Sequence, residues 1–184
     1  MRHRGIFIVA ELTGAVADRI RAIQQESDPR LAASQPPHLT LVGSSGAGPI
    51  SGSTTEARLR ELLEPVAART PPMTLHFERP HRFMQTEIVV LPLDPHGPLR
   101  TLHEEITSSG LDFATRARFT FSPHVTLNLY RTLTPERLRA LMAVRIDEPF
   151  TLERFQVYQS MMPQPPRKIL ELRLTGAPRE MTPG

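Results

Sequence analysis

The chain has 184 residues, of which 39% are hydrophobic and 22% are charged, as in one soluble globular domain. It contains no cysteine, which excludes disulfides, a thiolate nucleophile and a zinc–thiolate site. The net charge of +3 comes almost entirely from arginine, since Lys168 is the only lysine, and this excess is too small to identify a nucleic-acid partner.

The first half of the chain predicts a strand, a helix, a second strand, a second helix and a third strand. These elements are placed at residues 5–12, 14–26, 38–42, 54–69 and 74–78 by their apolar spacing and by the prolines and glycines between them. The Gly- and Ser-rich residues 44–53 predict a mobile connector. No apolar run approaches the ~20 residues of a membrane span, and we expect a cytoplasmic protein.

The second half of the chain repeats this order of elements. The predicted elements lie at residues 86–93, 98–109, 119–129, 134–144 and 150–159, with a closing strand at residues 169–174. Thr134 followed by proline is a typical helix start. We therefore expect residues 1–175 to form a single α+β domain of two pseudo-symmetric lobes, and residues 176–184 to form a frayed tail.

The pentapeptide Pro-His-aliphatic-Thr-Leu occurs twice, at residues 37–41 and at residues 123–127. In an extended strand alternate side chains share a face, so each copy presents an imidazole and a hydroxyl on one side and two aliphatic groups on the other. One such copy is more often a structural strand segment. Two copies in matching places of two half-repeats favour a functional pair of strands, which we expect to face each other across a cleft.

The four polar side chains of the motifs are a minimal set for acid–base chemistry on a phosphate ester. They are His38, Thr40, His124 and Thr126. Of two histidines, one can act as base and the other as acid if one is neutral and the other protonated. Threonine hydroxyls can donate to phosphoryl oxygens as charge develops. The carboxylates form no recognisable metal motif, so the sequence predicts neither a metal nor a cofactor.

The paired motifs resemble those of the 2H phosphoesterase superfamily, the LigT-like or 2'-5' RNA ligase-like proteins. The resemblance implies an α+β fold of two lobes with antiparallel sheets around a central cleft. It also implies metal-independent chemistry on 2',3'-cyclic phosphates, cyclic nucleotides or RNA ends, with His38 as acid and His124 as base by analogy. The expected partner is an RNA 3' end or a small cyclic nucleotide, and the expected state is a monomer.

The resemblance leaves the substrate and the outer part of the site open. Another cyclic phosphodiester, such as a cyclic dinucleotide or ADP-ribose 1'',2''-cyclic phosphate, and a non-catalytic RNA-end binder are the alternatives, and ligase activity is not decided. Three residues are candidate substrate contacts: Tyr158 by stacking or donation, and Arg118 and Arg131 by phosphate binding. Ordinary packing explains Tyr158 equally well. We expect His103 to lie on a helix surface.

Overall fold

The structure is a computed structural model that describes residues 5–161 and 164–177. The helices are Gly14–Ser27 (α1), Pro29–Ser34 (α2), Glu56–Arg69 (α3), Gly97–Thr107 (α4) and Pro135–Met142 (α5). The strands are Gly5–Glu11 (β1), His38–Val42 (β2), Ile50–Ser51 (β3), Met73–Leu75 (β4), His81–Arg82 (β5), Val89–Pro92 (β6), His124–Asn128 (β7), Phe150–Leu152 (β8), Arg154–Met161 (β9) and Gln164–Arg173 (β10). None of the helices in the described ranges is long and apolar enough to cross a membrane.

One antiparallel sheet dominates the fold. Within the described residues its strands run in the order β10-β9-β1-β2-β7-β6-β5, with β3 paired to β1, and β4 and β8 form a separate two-stranded sheet. Every strand pair is antiparallel. The predicted α+β class with antiparallel sheets is therefore confirmed.

The strands are arranged symmetrically on the two sides of the junction between β2 and β7. On one side β2 pairs with β1 and β1 with β9, and on the other side β7 pairs with β6 and β6 with β5. β9, from the second half of the chain, therefore pairs with β1 of the first half. We expected the motif strands to face each other across a cleft, but they are direct neighbours in one sheet. A division into two lobes is not confirmed.

Helices α1 and α4 cover the apolar face of this sheet. α1 packs against β7 and α4 packs against β2. The side chains that point toward them from the motif strands are fully buried, and they are Leu39, Leu41, Val125 and Leu127. Because side chains alternate along a strand, this burial leaves the His and Thr side chains on the uncovered face.

Helix α5 begins where the sequence predicted. The Thr134 hydroxyl accepts a hydrogen bond from the Arg137 amide at 3.2 Å, and proline occupies the first turn. This hydrogen bond satisfies one of the backbone N–H groups that lack a partner inside the helix, and proline has no N–H group that needs one. Helix α2, which the sequence did not predict, is likewise capped by Asp28.

The predicted strand at residues 150–159 is two strands in two different sheets. β8 pairs with β4, whereas β9 pairs with β1. The chain changes sheet at Glu153, whose carbonyl accepts from the Leu174 amide at 2.8 Å. Of the predicted tail, the Gly176 amide donates to the Thr70 carbonyl at 2.9 Å. Residues 178–184 lie outside the described residues, so the frayed tail stays a prediction.

The predicted mobile connector at residues 44–53 is instead packed against the domain. Ser45 and Ala47 are buried, and the segment contains β3. Its glycines permit close approach: a Cβ on Gly46, whose φ is +74°, would lie 2.4 Å from the His103 ring, and one on Gly48 would lie 2.0 Å from the Thr115 carbonyl oxygen. The glycines therefore serve close packing, and the interpretation of this segment as a mobile connector was wrong.

Candidate active site

The two motif strands meet at one central residue pair. Leu39 pairs with Val125 between β2 and β7, and both side chains are fully buried. The two strands also share the same alternation, with half-buried His and Thr side chains between buried aliphatic ones. The polar side chains of both motifs therefore lie on one face of one sheet, on the side away from α1 and α4.

On that face the histidines and threonines are arranged crosswise. Around the central pair, antiparallel register sets His38 across from Thr126 and Thr40 across from His124. The two histidines are diagonal neighbours, with a backbone spacing of about 7–8 Å. Such a spacing suits two rings that contact opposite sides of one phosphate group. The structure thus brings together all four residues that the sequence singled out.

Both imidazoles are oriented by the same local hydrogen bond. Nδ1 of His38 lies 2.8 Å from the Pro36 carbonyl oxygen, and Nδ1 of His124 lies 2.7 Å from the Ser122 carbonyl oxygen. A carbonyl can only accept, so each Nδ1 carries a proton and each Nε2 is left free for proton transfer. The same hydrogen bond recurs because in both motifs a proline lies between the histidine and the residue that supplies the carbonyl. The residue before a proline is held in an extended conformation.

The environment lowers the pKa of both histidines from the ordinary value. Burial is the main cause for His38, opposed by the Pro36 carbonyl and by the charge of Glu11. Burial is also the main cause for His124, opposed by the Ser122 carbonyl and reinforced by the charge of His38. Desolvation disfavours the imidazolium form of both rings, and the charge of Glu11 partly opposes this effect at His38.

A cavity of about 220 Å³ opens beside the first motif. It is lined by Phe7, Val9, Gln35, His38, Thr40, Tyr158, Ser160 and Pro166. The predicted contact residue Tyr158 therefore lies in the wall of the same cavity as His38 and Thr40. Its role in binding stays a prediction, but its position is suitable for a group attached to the phosphate.

Glu11 is a member of the site that sequence reasoning missed. It lies across from His38 in the register of β1 and β2. The Tyr158 hydroxyl donates to its carboxylate, and the Lys168 ammonium lies 3.2 Å from the same group. Burial and the Glu11 bond raise the pKa of Tyr158, which keeps its hydroxyl protonated as a donor. The available signal was a lone carboxylate at the end of an apolar strand.

An aromatic side chain occupies the corresponding side of the second motif. The Phe83 ring packs edge-on against the His124 ring with 5.4 Å between centroids, and the His81 ring packs against Phe83 at 5.9 Å. His81 therefore lies near the site without touching the motif histidine. The second imidazole borders an apolar group where the first borders a carboxylate.

The C-terminal end of α1 holds the second motif strand. The Gln24 side-chain Nε2 donates to the Thr126 carbonyl, and the Ser27 hydroxyl donates to the Leu127 carbonyl, both at 2.8 Å. These bonds satisfy strand carbonyls beyond the single pair that joins β7 to β2. Side chains of α1 thus replace missing sheet hydrogen bonds immediately behind the catalytic candidates.

His103 supports the first motif strand in a comparable way. Its Nδ1 lies 2.7 Å from the Leu41 carbonyl oxygen, and its ring stacks on Phe121 with 4.0 Å between centroids. The side chain is only 5% exposed, so the expectation of a surface histidine was wrong. The amphipathic pattern of α4 did not predict this burial. A buried imidazole needs a hydrogen-bond partner, and here that partner comes from a strand distant in sequence.

The two candidate arginines have different surroundings. The Arg131 guanidinium donates to the Glu26 and Ser27 carbonyls at the end of α1, at 3.3 and 3.5 Å. Its backbone carbonyl accepts from the buried Asn128 side chain. Arg118 is exposed in the segment before the second motif. Phosphate binding by either arginine stays a prediction, and Arg131 has a structural role in any case.

The described part of the chain contains no group of three or more His, Cys, Asp or Glu side chains placed to hold a metal ion. The uncovered face of the sheet presents two imidazoles with free Nε2 atoms and two hydroxyls. These groups can exchange protons with, and donate hydrogen bonds to, a single anionic centre.

Comparison with known proteins places this geometry in a family. A family model described as the 2'-5' RNA ligase superfamily matches residues 12–161. Similar solved structures include E. coli LigT in apo form, which is 20% identical, with 95% of this chain and 99% of that chain covered and a TM-score of 0.58. E. coli LigT complexed with 3'-AMP is 18% identical over the same shares, with a TM-score of 0.56.

A third structure, TT0787 of Thermus thermophilus, is 16% identical, with 94% of this chain and 98% of that chain covered and a TM-score of 0.58. A sequence comparison with curated proteins finds no significant match. At these identities the solved structures show a common fold.

Proposed function

The chain belongs to the 2'-5' RNA ligase superfamily, and from this premise we propose that it hydrolyses a 2',3'-cyclic phosphate, at an RNA end or in a nucleotide, without a metal ion. The observation that carries the proposal is the matched pair of imidazoles. His38 and His124 are each held through Nδ1 and share one face with both motif threonines. A paired acid and base across one phosphate is what hydrolysis of a cyclic diester requires.

The proposed reaction is a direct displacement at phosphorus. Nε2 of His124 takes a proton from a water molecule while the water oxygen forms a bond to phosphorus. One P–O bond to the ribose breaks, and Nε2 of His38 gives its proton to the departing oxygen. The hydroxyls of Thr40 and Thr126 donate to the non-bridging oxygens, where charge develops. The product is a phosphomonoester, and solvent exchange returns both histidines to their starting states.

The substrate class rests on the family and on the size of the site. The solved LigT complex contains 3'-AMP, which is one of the two monoesters that opening a 2',3'-cyclic adenosine phosphate can leave. The cavity of about 220 Å³ beside His38 and Thr40 offers room for a group attached to the phosphate, such as a nucleoside. Both features support a nucleotide or an RNA terminus over a simple phosphodiester.

The test is an activity panel in the presence of EDTA. We expect turnover of 2',3'-cyclic mononucleotides or of RNA with a 2',3'-cyclic end, and no loss of rate when EDTA is added. Turnover of cyclic dinucleotides or of ADP-ribose cyclic phosphate alone would replace the proposed substrate with one of those. Activity that disappears in EDTA and returns with a divalent cation would refute the metal-independent mechanism.

Salt dependence distinguishes an RNA end from a free nucleotide. If several phosphates beyond the cleaved bond contact arginine, binding of a short oligonucleotide weakens steeply with salt, whereas a mononucleotide releases few counterions and depends on salt much less. We expect Arg118→Ala to reduce the salt slope of the oligonucleotide by about one unit.

The matched control for this measurement is Arg139→Ala on α5, which lies beside α1 on the helical side of the sheet. It should leave the slope unchanged. Equal slopes for the two ligands in wild type would identify a small nucleotide as the substrate. Arg131→Ala is a poorer probe, because that side chain bonds to the end of α1.

A further inference from the structure

The repeat of the sheet allows the surroundings of the two histidines to be compared position by position. Across β1 and β2, Glu11 pairs with His38, and across β6 and β7, Pro92 pairs with His124. The neighbouring hydrogen bonds correspond as well: the amide after Glu11 donates to the Pro37 carbonyl at 2.9 Å, and the amide after Pro92 donates to the Pro123 carbonyl at 3.0 Å. Glu11 and Pro92 thus occupy equivalent positions.

This equivalence isolates one chemical difference in an otherwise symmetric pair. Val9 pairs with Thr40 and Val90 pairs with Thr126, so the threonines have matching neighbours. The histidines do not, because a carboxylate lies across from one and an uncharged ring lies across from the other. Two identical imidazoles need such a difference if one is to give a proton while the other takes one.

Glu11 is held in place from three directions. The Tyr158 hydroxyl donates to its carboxylate, and Lys168, the only lysine of the chain, lies 3.2 Å away. Its amide donates to the Gln156 side-chain oxygen at 2.9 Å. The carboxylate is therefore fixed by two partners from two other strands, Tyr158 of β9 and Lys168 of β10.

Other charges around the two histidines do not cancel this difference. In the described ranges, the titratable or charged groups on the His38 side are Glu11 of β1, His124 of β7, Tyr158 of β9, and Lys168 and Glu171 of β10. Glu11 is the one whose charge acts on His38 to favour the protonated form. On the other side, His124 packs against the ring of Phe83 and pairs with Pro92, neither of which carries charge, and the titratable ring of His81 packs on Phe83.

We infer that Glu11 is a positioning residue that, anchored by Tyr158 and Lys168, favours a proton on His38 over one on His124 and thereby assigns His38 as the acid and His124 as the base. This inference rests on the proposed function. The carboxylate exchanges no proton with substrate; its charge stabilises the proton on Nε2 of His38 until the ribose oxygen departs. The proton then passes to that oxygen as the P–O bond breaks.

The test replaces the carboxylate by its neutral isostere and measures both histidines directly. In Glu11→Gln the amide oxygen still accepts from Tyr158, so the fold is retained. Histidine ring signals are followed by NMR as a function of pH without substrate. We expect the His38 midpoint to fall by about 0.5–1 pH unit and the His124 midpoint to stay in place. Unchanged midpoints, or an equal shift of both, would overturn the inference.

The matched control is Glu171→Gln, which removes the same charge from a residue that also bonds Lys168 but does not pair with His38. It should leave both midpoints in place. Glu11→Asp keeps the charge and should bring the His38 midpoint back toward the wild-type value. A midpoint in Glu11→Asp that matches Glu11→Gln would mean that side-chain shape, and not charge, acts on His38.

The catalytic consequence is read in the pH profile of kcat/KM. Loss of the Glu11 charge should move the alkaline limb, which follows deprotonation of the acid, to lower pH, and should leave the acidic limb in place. Movement of the acidic limb alone would assign His38 as the base and overturn the inference. If the wild-type protein turns over no cyclic phosphate, the proposed function fails, and the NMR titrations still decide whether the charge of Glu11 favours the protonated form of His38.

Discussion

Replacement of His38 or His124 by alanine should lower kcat/KM for a 2',3'-cyclic phosphate by about 10²–10⁴-fold, because a general acid or base contributes that much to a proton-transfer step. The Nδ1 bond of each ring reaches only the carbonyl two residues earlier in its own segment. Neither ring therefore joins distant elements, and both variants should fold. Steady-state kinetics would measure the loss of activity, and circular dichroism with thermal unfolding would show whether both variants fold.

The two histidines act on one displacement, so their effects should not multiply. The double variant is expected to be about as slow as the slower single variant, since losing one partner already abolishes the concerted transfer. Thr40→Val and Thr126→Val keep the side-chain shape and remove one donor each, and should cost less. His76→Ala, an exposed position next to β4, is the control and should keep wild-type activity. Turnover within a few-fold of wild type in either motif variant would exclude the proposed mechanism.

Asp28→Ala should destabilise the fold by about 2–4 kcal/mol, because it leaves several amides without a partner. The carboxylate is 1% exposed and links two parts of the chain. One oxygen accepts from the Leu31 amide at 3.1 Å, where it caps α2. The other accepts from the Leu129 and Tyr130 amides at 2.8 and 2.6 Å, directly after the second motif strand. Urea unfolding would give the free energy of unfolding.

The acid sensitivity of the fold provides a second measurement of Asp28. Burial raises the pKa of this carboxyl, but the amides of Tyr130, Leu129 and Leu31 outweigh burial and hold the pKa below its ordinary value. A depressed carboxyl pKa stabilises the fold above the unfolded pKa of about 3.9, and this stability is lost as the pH falls through the folded value. Asp28→Asn should therefore weaken the dependence of stability on pH in this acidic range.

Asp18→Ala is the matched control, since Asp18 is exposed on α1 and has no role in holding β7. Its free energy of unfolding should stay within about 0.5 kcal/mol of wild type. A loss of similar size in Asp18→Ala and Asp28→Ala would mean that the buried bonds of Asp28 do not stabilise the end of the motif strand.

Several features of the site could be predicted from local sequence. Alternation along a strand is a property of the backbone itself, so the shared face of His38 with Thr40, and of His124 with Thr126, followed from spacing alone. The main helices and strands of each half, apart from α2 and the short strands β3 and β5, followed from apolar periodicity and from turn residues. The paired motif also predicted a family, and the match over residues 12–161 confirms it.

Other predictions of structure from the local sequence were wrong at segments whose conformation a tertiary contact determines. Glycine and serine at residues 44–53 predicted mobility, but the same small residues allow close packing against His103 and Thr115. The apolar run at residues 150–159 predicted one strand, but its two ends pair with strands of different sheets. Composition describes what a segment can do alone, and it does not specify which distant surface the segment meets.

The sequence by itself determined the two like pairs of side chains that we propose to carry the chemistry. Only the tertiary structure decided that β2 and β7 are neighbours and that Glu11 lies across from His38 while Pro92 lies across from His124. The physical reason is the range of the interactions. Alternation and the Nδ1 bonds act within a few residues, whereas Glu11 meets Tyr158 and Lys168 across about 150 residues of chain. Such contacts exist only once the sheet has assembled.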